Sequence, residues 1–414
     1  MKLHSSTHNK RKIINDPVHG FITIPDELIF DLIEHPFFQR LRRIKQLGLS
    51  HLVYPGANHT RFHHGLGAMY LMVEAIDVLK SKGVAITPEE KLGAAIAILL
   101  HDIGHGPFSH TLEHSLLNEI HHEEVSLLFM HRLNQEFNGR LDLAISIFED
   151  TYHKSFLNQL VSGQLDMDRL DYLQRDSYFT GVSEVVVGSD RIIAMLNVSD
   201  NNLVIEEKGI YSVENFIGAR RIMYWQVYMH KTVVSSEFML TSILKRAKHL
   251  YKQGMDLFAS PSLKVFLKED VTFDDLKQND QLLENFALID DSDISTSIKV
   301  WQSCPDKILS KLCKDIASRH LFKTIISKEA FDAQVVSDLK NKIQTKFGIS
   351  DAETHYFLKS EKLINSAYDK KYNQINIKLR NGKILDLAKA SDNLNISALS
   401  TPVEKFYLSF AKTD

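Results

Sequence analysis

Residues 98–114 read ILLHDIGHGPFSHTLEH, and the organisation of the chain can be worked outward from them. The apolar run Leu92 to Leu100, with Gly93 inside it, reads as a buried helix opened by the N-terminal cap Thr87-Pro88-Glu89-Glu90. Its end delivers His101 and Asp102. Neighbours on a helix point about 100° apart, so both reach one ion only if the ion sits beside the helix end. Imidazole and carboxylate together suit a borderline divalent ion such as Mn, Fe, Zn or Co better than a calcium cage. Two ligands are too few, so others must come from elsewhere in the chain. Arg61-Phe62-His63-His64-Gly65 upstream and Leu165-Asp166-Met167-Asp168-Arg169 downstream supply candidates. A lone His-Asp pair would read more readily as a capped helix end; the two flanking clusters turn the reading to an ion site.

Around this stretch the histidines crowd. Eleven of the 20 lie between His51 and His131, where even spreading over the 414 residues would place about four. The same region carries helical spacing at 26–48, 64–80, 121–135, 141–149, 155–162, 166–176 and, as one long helix, 212–250. Strand signals are few: an extended segment over 12–24 and a short hairpin at 202–209. Beyond residue 255 Asp and Lys become frequent, histidine thins out, and 372–388 alternates Ile375, Ile377 and Leu379 with polar residues around an Asn381-Gly382 turn. The expected architecture is mainly α: a helical domain over 1–255 and a smaller mixed α+β accessory or oligomerisation region over 256–414.

Composition narrows the function classes. With 44% hydrophobic and 24% charged residues the chain is that of a globular protein. Lys plus Arg at 49 against 52 acids gives a net charge of -3, no global reason to expect nucleic acid as the main partner. Cys304 and Cys313 are too few for a disulfide framework. The polar, basic start MKLHSSTHNKRK lacks the apolar run of a secretory leader, and the stretch to Leu100 is far short of the ~20 residues of a membrane span. A cytoplasmic protein without a membrane partner is expected.

The order His64, His101-Asp102, Asp168 resembles the signature of HD-domain metal-dependent phosphohydrolases. NDPVHG (15–20), FQRLRRIKQLG (38–48), YPGANHTRFHHGLG (54–67), HDIGHGPFSH (101–110), DMDRLDYLQRD (166–176) and YMHK (228–231) resemble, more closely, the deoxynucleoside triphosphate triphosphohydrolases. The resemblance covers roughly residues 12–250 and returns faintly at Arg319–Lys323.

That resemblance implies metal ligands His64, His101, Asp102 and Asp168 for a divalent ion (Mn, Fe, Mg, Zn, Ni or Co), with Mg on the nucleotide phosphates. His63 is the neighbour that is not a ligand. It implies proton and phosphate chemistry at His105, His110 and His122, the last oriented by Glu113, where many relatives carry aspartate. Arg61, Arg169 and Arg220 would meet the triphosphate. Tyr172 and Asp176 would close on the sugar, with Gln46, Leu47 and Tyr228 as sugar or base neighbours. Tyr224 stands where a relative has histidine. Lys12, Ile13, Asn15, Glu34, Gln39 and Arg42, with Arg319 and Lys323, match an activating-nucleotide site between subunits, implying a homo-oligomer, tetramer or dimer, activated by dGTP or GTP. An ordinary solvated helix face is the competing reading of Gln39 and Arg42.

The expected activity is hydrolysis of a dNTP to deoxynucleoside and triphosphate. Two alternatives stay open: an HD-type phosphohydrolase acting on a monophosphate, cyclic dinucleotide or alarmone, and a non-catalytic nucleotide- or nucleic-acid-binding module.

Overall fold

The structure, a computed structural model, describes residues 12–108, 111–112, 115–117, 120–368, 374–393, 399 and 401–413. Helices dominate, as expected, and small sheets sit at the margins. The centre is the helix Pro88–Leu100, begun by the reciprocal Thr87/Glu90 cap and buried at every position from Gly93 onward. It packs between Arg61–Ser81 on one side and Asp142–Phe148 on the other, while Met167–Thr180 lies across Arg61–Ser81. Glycine makes these approaches possible: a Cβ at Gly65 would stand 3.3 Å from the Leu99 carbonyl oxygen.

The N-terminal extended segment is a hairpin, Ile13–Asp16 against Gly20–Thr23. Two expectations are corrected. The long helix over 212–250 is two, Ile210–Met223 and Lys231–Lys252, separated by the π-turn Tyr224–Tyr228. The break follows from His230, whose side chain accepts from the Thr232 N–H and caps a new helix. The hairpin expected at 202–209 instead uses the preceding segment: Leu196–Ser199 pairs with Asn202–Glu206. The tight turn falls on Asp200 and Asn201, both at positive φ, a conformation that Asn and Asp tolerate.

The later hairpin is present as Asn376–Lys378 against Ile384–Asp386, and its first strand also pairs in parallel with Asn202–Glu206. A second sheet orders Lys323–Ser327, Val403–Phe410 and Leu358–Asn365, all antiparallel. Residues on either side of 255 also meet through Arg43 paired with Asp290 and the Lys45 N–H on the Asp291 carboxylate at 3.0 Å. Among the described residues no helix is long and apolar enough to cross a membrane.

Candidate active site

The end of Pro88–Leu100 turns sharply, and two neighbours hold that turn. The Ser126 hydroxyl donates to the His101 carbonyl at 2.7 Å and accepts from the Gly104 N–H at 2.8 Å. Arg40, buried and stacked near Phe129 and Phe286, donates to the carbonyls of Ile103 and His105. Gly104 lets the start of helix His122–Glu136 approach; a Cβ there would lie 2.3 Å from the His122 carbonyl oxygen. The result is His105 stacked on His122 with ring centroids 3.7 Å apart.

On the other side of the turn, ligand-type atoms converge. His64 Nε2 lies 3.3 Å from His101 Nε2, and Asp168 Oδ1 lies 3.1 Å from the first and 3.4 Å from the second. Asp102 Oδ1 is 3.4 Å from His101 Nε2, and its Oδ2 is 3.8 Å from His64 Nε2. Each imidazole is fixed through its other nitrogen: His64 Nδ1 on Asp171 at 2.7 Å, His101 Nδ1 on the Ile98 carbonyl at 2.6 Å. Both of those partners are acceptors, so each neutral ring carries its proton on Nδ1 and turns an Nε2 lone pair inward. Two such lone pairs facing each other beside a carboxylate oxygen repel unless a positive charge lies among them. Burial alone would lower the His64 pKa, yet hydrogen bonds to Asp168 and Asp171 outweigh it and raise it to about 10. A divalent ion meets the same demand: ligand atoms of His64, His101 and Asp168 lie close enough together to hold one, while Asp102 groups in the same way with His105 and His122.

Beyond these ligands opens a cavity of about 610 Å³ that Asp102, Asp168, His105, His122 and Arg61 help to line. Arg61 donates to Asp102 Oδ2 at 2.5 Å, and its Nε is buried without a partner among the described residues.

Comparison with known proteins gives the family. The HD domain pattern matches residues 61–176, and an HD associated region matches 187–258. A phosphohydrolase from Bacteroides thetaiotaomicron, seen in a crystal structure, is 54% identical with a TM-score of 0.94, over 97% of this chain and 100% of that one. The chain belongs to the HD-domain phosphohydrolases. The uncharacterized protein YwfO of Bacillus subtilis is 38% identical over 325 residues, 77% of this chain and 72% of YwfO. A deoxynucleoside triphosphate triphosphohydrolase SAMHD1 homolog from Dictyostelium discoideum is 30% identical over 331 residues, 75% of this chain but only 62% of its own length. The resemblance to the dNTP-hydrolysing branch is therefore present in the curated relatives too.

In this HD-domain phosphohydrolase the remaining expected residues are placed as follows. Gln46, Leu47, Tyr172, Asp176 and Tyr228 line the cavity, and the Gln46 Oε1 is buried without a partner among the described residues. Asp176 is held from both sides, by His59 Nε2 at 2.7 Å and by the Tyr228 hydroxyl at 2.8 Å. Tyr172 and Tyr228 pack edge-on at 6.3 Å. Arg220 lies behind Tyr224, 5.9 Å from its ring, with Nε and Nη1 buried and unpartnered among the described residues. Arg169 is turned onto Asp166 and the Gly163 carbonyl rather than into the cavity, because the buried Asp166 carboxylate demands a cation beside it. His63 folds back on Thr60, away from the ligand cluster. His110 and Glu113 lie outside the described residues.

None of the eight residues matched to an activator site lines this cavity. Ile13, Asn15, Glu34 and Arg42 are exposed, Lys12 lies over the Phe30 ring, and Gln39 accepts from Arg42 at 2.8 Å. Arg319 donates to the Leu52 carbonyl at 2.8 Å, and Lys323 begins an exposed strand end.

Sequence reasoning missed three things. Asp171, three residues after Asp168, anchors His64 and is itself gripped by Arg175 and by His19 from the N-terminal hairpin; the Asp171–Arg175 spacing of four on one helix face was the available signal. His59, which holds Asp176, is the second. The far wall of the cavity, from Lys359, Glu361, Leu363 and Tyr407, carried no local signal at all.

Proposed function

We propose that this chain is a metal-dependent deoxynucleoside triphosphate triphosphohydrolase, converting dNTP and water to deoxynucleoside and triphosphate. The observation that supports it is one cavity, large enough for a nucleotide, lined both by the carboxylates Asp102 and Asp168 of the ligand cluster and by Tyr172 and Tyr228 around Asp176. HD-domain membership alone would leave the substrate open; the pairing of the two features is what favours a nucleotide attacked at phosphorus.

The bound ion would polarise a phosphate oxygen and lower the pKa of water. The rest falls to the protein. Arg61, already oriented by Asp102, would meet phosphate oxygens with its unpartnered Nε. Water adds to the α-phosphorus, the bond from phosphorus to the 5′-oxygen breaks, and that oxygen takes a proton to leave as the sugar hydroxyl. His105 and His122, which lie beside Asp102 and open on the cavity, would supply that proton. Asp176, held in place by His59 and Tyr228, would accept the 3′-hydroxyl, and Tyr172 would crowd the 2′ position. We further propose that Lys12, Ile13, Asn15, Glu34, Gln39 and Arg42 from one subunit, with Arg319 and Lys323, bind an activating dGTP or GTP in a homo-oligomer.

The test is purified protein with Mn²⁺ and each of the four dNTPs, assayed for inorganic tripolyphosphate. Absence of tripolyphosphate with all four, or release of monophosphate instead, rules the reading out. Adding micromolar dGTP to the dATP reaction tests activation; equal rates with and without it discard that part.

A further inference from the structure

We propose that the C-terminal strands Leu358–Asn365 and Val403–Phe410 form the base-reading wall of the nucleotide pocket, with Glu361 as the acceptor that makes guanine the preferred base. This rests on the nucleotide reading above and names its substrate more closely.

Along Leu358–Asn365, Lys359, Glu361 and Leu363 alternate, so they share one face, and Tyr407 stands directly opposite Glu361 in the antiparallel register. All four line the cavity that contains Asp102 and Asp168. The facing wall is the helix Lys231–Lys252. Its cavity residues Val233, Glu237 and Thr241 recur every four positions, a stripe spanning eight residues and so about 12 Å. That stripe starts just past Tyr228. A nucleotide with its phosphates at the ligand cluster and its sugar between Tyr172 and Asp176 therefore has a walled channel left for its base.

The chemistry at the sheet is specific. The Tyr407 hydroxyl donates to Glu361 Oε2 at 3.1 Å, and the Lys359 ammonium reaches the same oxygen at 2.9 Å. Both contacts fall on Oε2; among the described residues Oε1 makes no hydrogen bond. Burial pushes the Tyr407 phenol pKa up, and the nearby carboxylates of Glu361 and Glu237 push the same way, so Tyr407 stays a donor that fixes the carboxylate. A fixed carboxylate with lone pairs to spare recognises adjacent N–H donors. Guanine presents two side by side, N1–H and the N2 amino group, with its O6 next to them for an ammonium such as that of Lys359. Adenine and cytosine each set an acceptor nitrogen beside their one amino group, and thymine offers a single N–H between two carbonyls.

Equilibrium binding separates this proposal from the reaction. Dissociation constants for dGTP, dATP, dCTP and dTTP are measured with Mn²⁺ on His122→Ala, which removes a proton-transfer group and leaves the ligand set, with and without Glu361→Gln, all in saturating GTP, which fills the proposed activator site and which Tyr172 keeps out of the sugar pocket. Glu361 sits on an exposed strand edge and Gln is its isostere, so the fold is retained; Glu361→Ala provides a second variant. The expected result is dGTP bound at least tenfold more tightly than the other three, falling to within about twofold of them in both Glu361 variants. Four equal constants, or a dGTP preference unchanged by either substitution, overturn the base-reading wall. Tripolyphosphate release by the unsubstituted protein reports separately: its absence sinks the hydrolase reading while the binding constants still decide the base.

Discussion

Asp171 shows how much of a candidate metal centre lies outside its would-be ligands. It touches no ion in the proposed site, yet it sets the direction of His64 and is buried together with Arg175, which donates to it through both Nε and Nη2 at 2.9 Å. Replacing Asp171 with Asn keeps an acceptor but removes the charge, and should weaken metal binding by roughly 10–100-fold, read by equilibrium dialysis against Mn²⁺. Unchanged affinity would mean that His64 needs no anchoring. A contrast at the same scale divides ligand from proton-transfer roles. Asp168→Ala should lose metal and turnover together, whereas His122→Ala should lose about 10²–10⁴ in rate with metal content intact. Metal loss in the His122 variant would contradict its assignment.

Between elements, the contact of Arg61–Ser81 with Met167–Thr180 is set by a glycine. A Cβ at Gly67 would fall 2.0 Å from Asp171 Oδ1 and 2.3 Å from Arg175 Nη2, both locked in a buried pair. Gly67→Ala should therefore lower both the unfolding midpoint and metal affinity, and do so more than Gly65→Ala, whose nearest contact is 3.2 Å. Equal effects would refute that ranking. The helix Asp291–Trp301 carries a pH-dependent term. Burial lifts the Asp291 pKa to about 6, and its Oδ1 has no partner among the described residues. A carboxyl whose folded pKa exceeds the unfolded value of about 3.9 stabilises most when protonated; the contribution is complete below pH ~4 and is lost as pH rises through about 6. Asp291→Asn should remove that loss, so its stability relative to the unsubstituted protein should rise between pH 4.5 and 7 in denaturant melts. Parallel curves would show no such titration. Element by element, the helices around His101 were legible because their apolar spacing and caps are local, as at Thr87 and Glu90. The π-turn at Tyr224–Tyr228 was not: its extra residue leaves hydrophobic periodicity nearly intact, and only the backbone reveals it.

Across the whole molecule, the candidate ligands stood out in the sequence because each sits in a short block whose chemistry is unusual, as in His101-Asp102. The wall at Glu361 and Tyr407 was not, because those residues are ordinary for a strand and acquire meaning only when the sheet folds against the helix Lys231–Lys252. The hairpin Ile13–Thr23 likewise reads in the sequence only as an extended segment, with nothing to say what it touches. Instead His19 Nε2 lies 2.6 Å from Asp171, and Asp16 accepts from Arg175 at 2.8 Å, so the hairpin grips the same carboxylate that holds His64. Thermodynamic reciprocity then runs both ways along this chain of contacts. If docking of the hairpin tightens the ion, the ion must tighten the docking of the hairpin by the same factor. Saturating Mn²⁺ should slow backbone amide exchange at residues 13–23, far along the sequence from any ligand, and a chelator should release it. The strand Ile13–Asp16 would then serve as a gauge of what is bound at the centre.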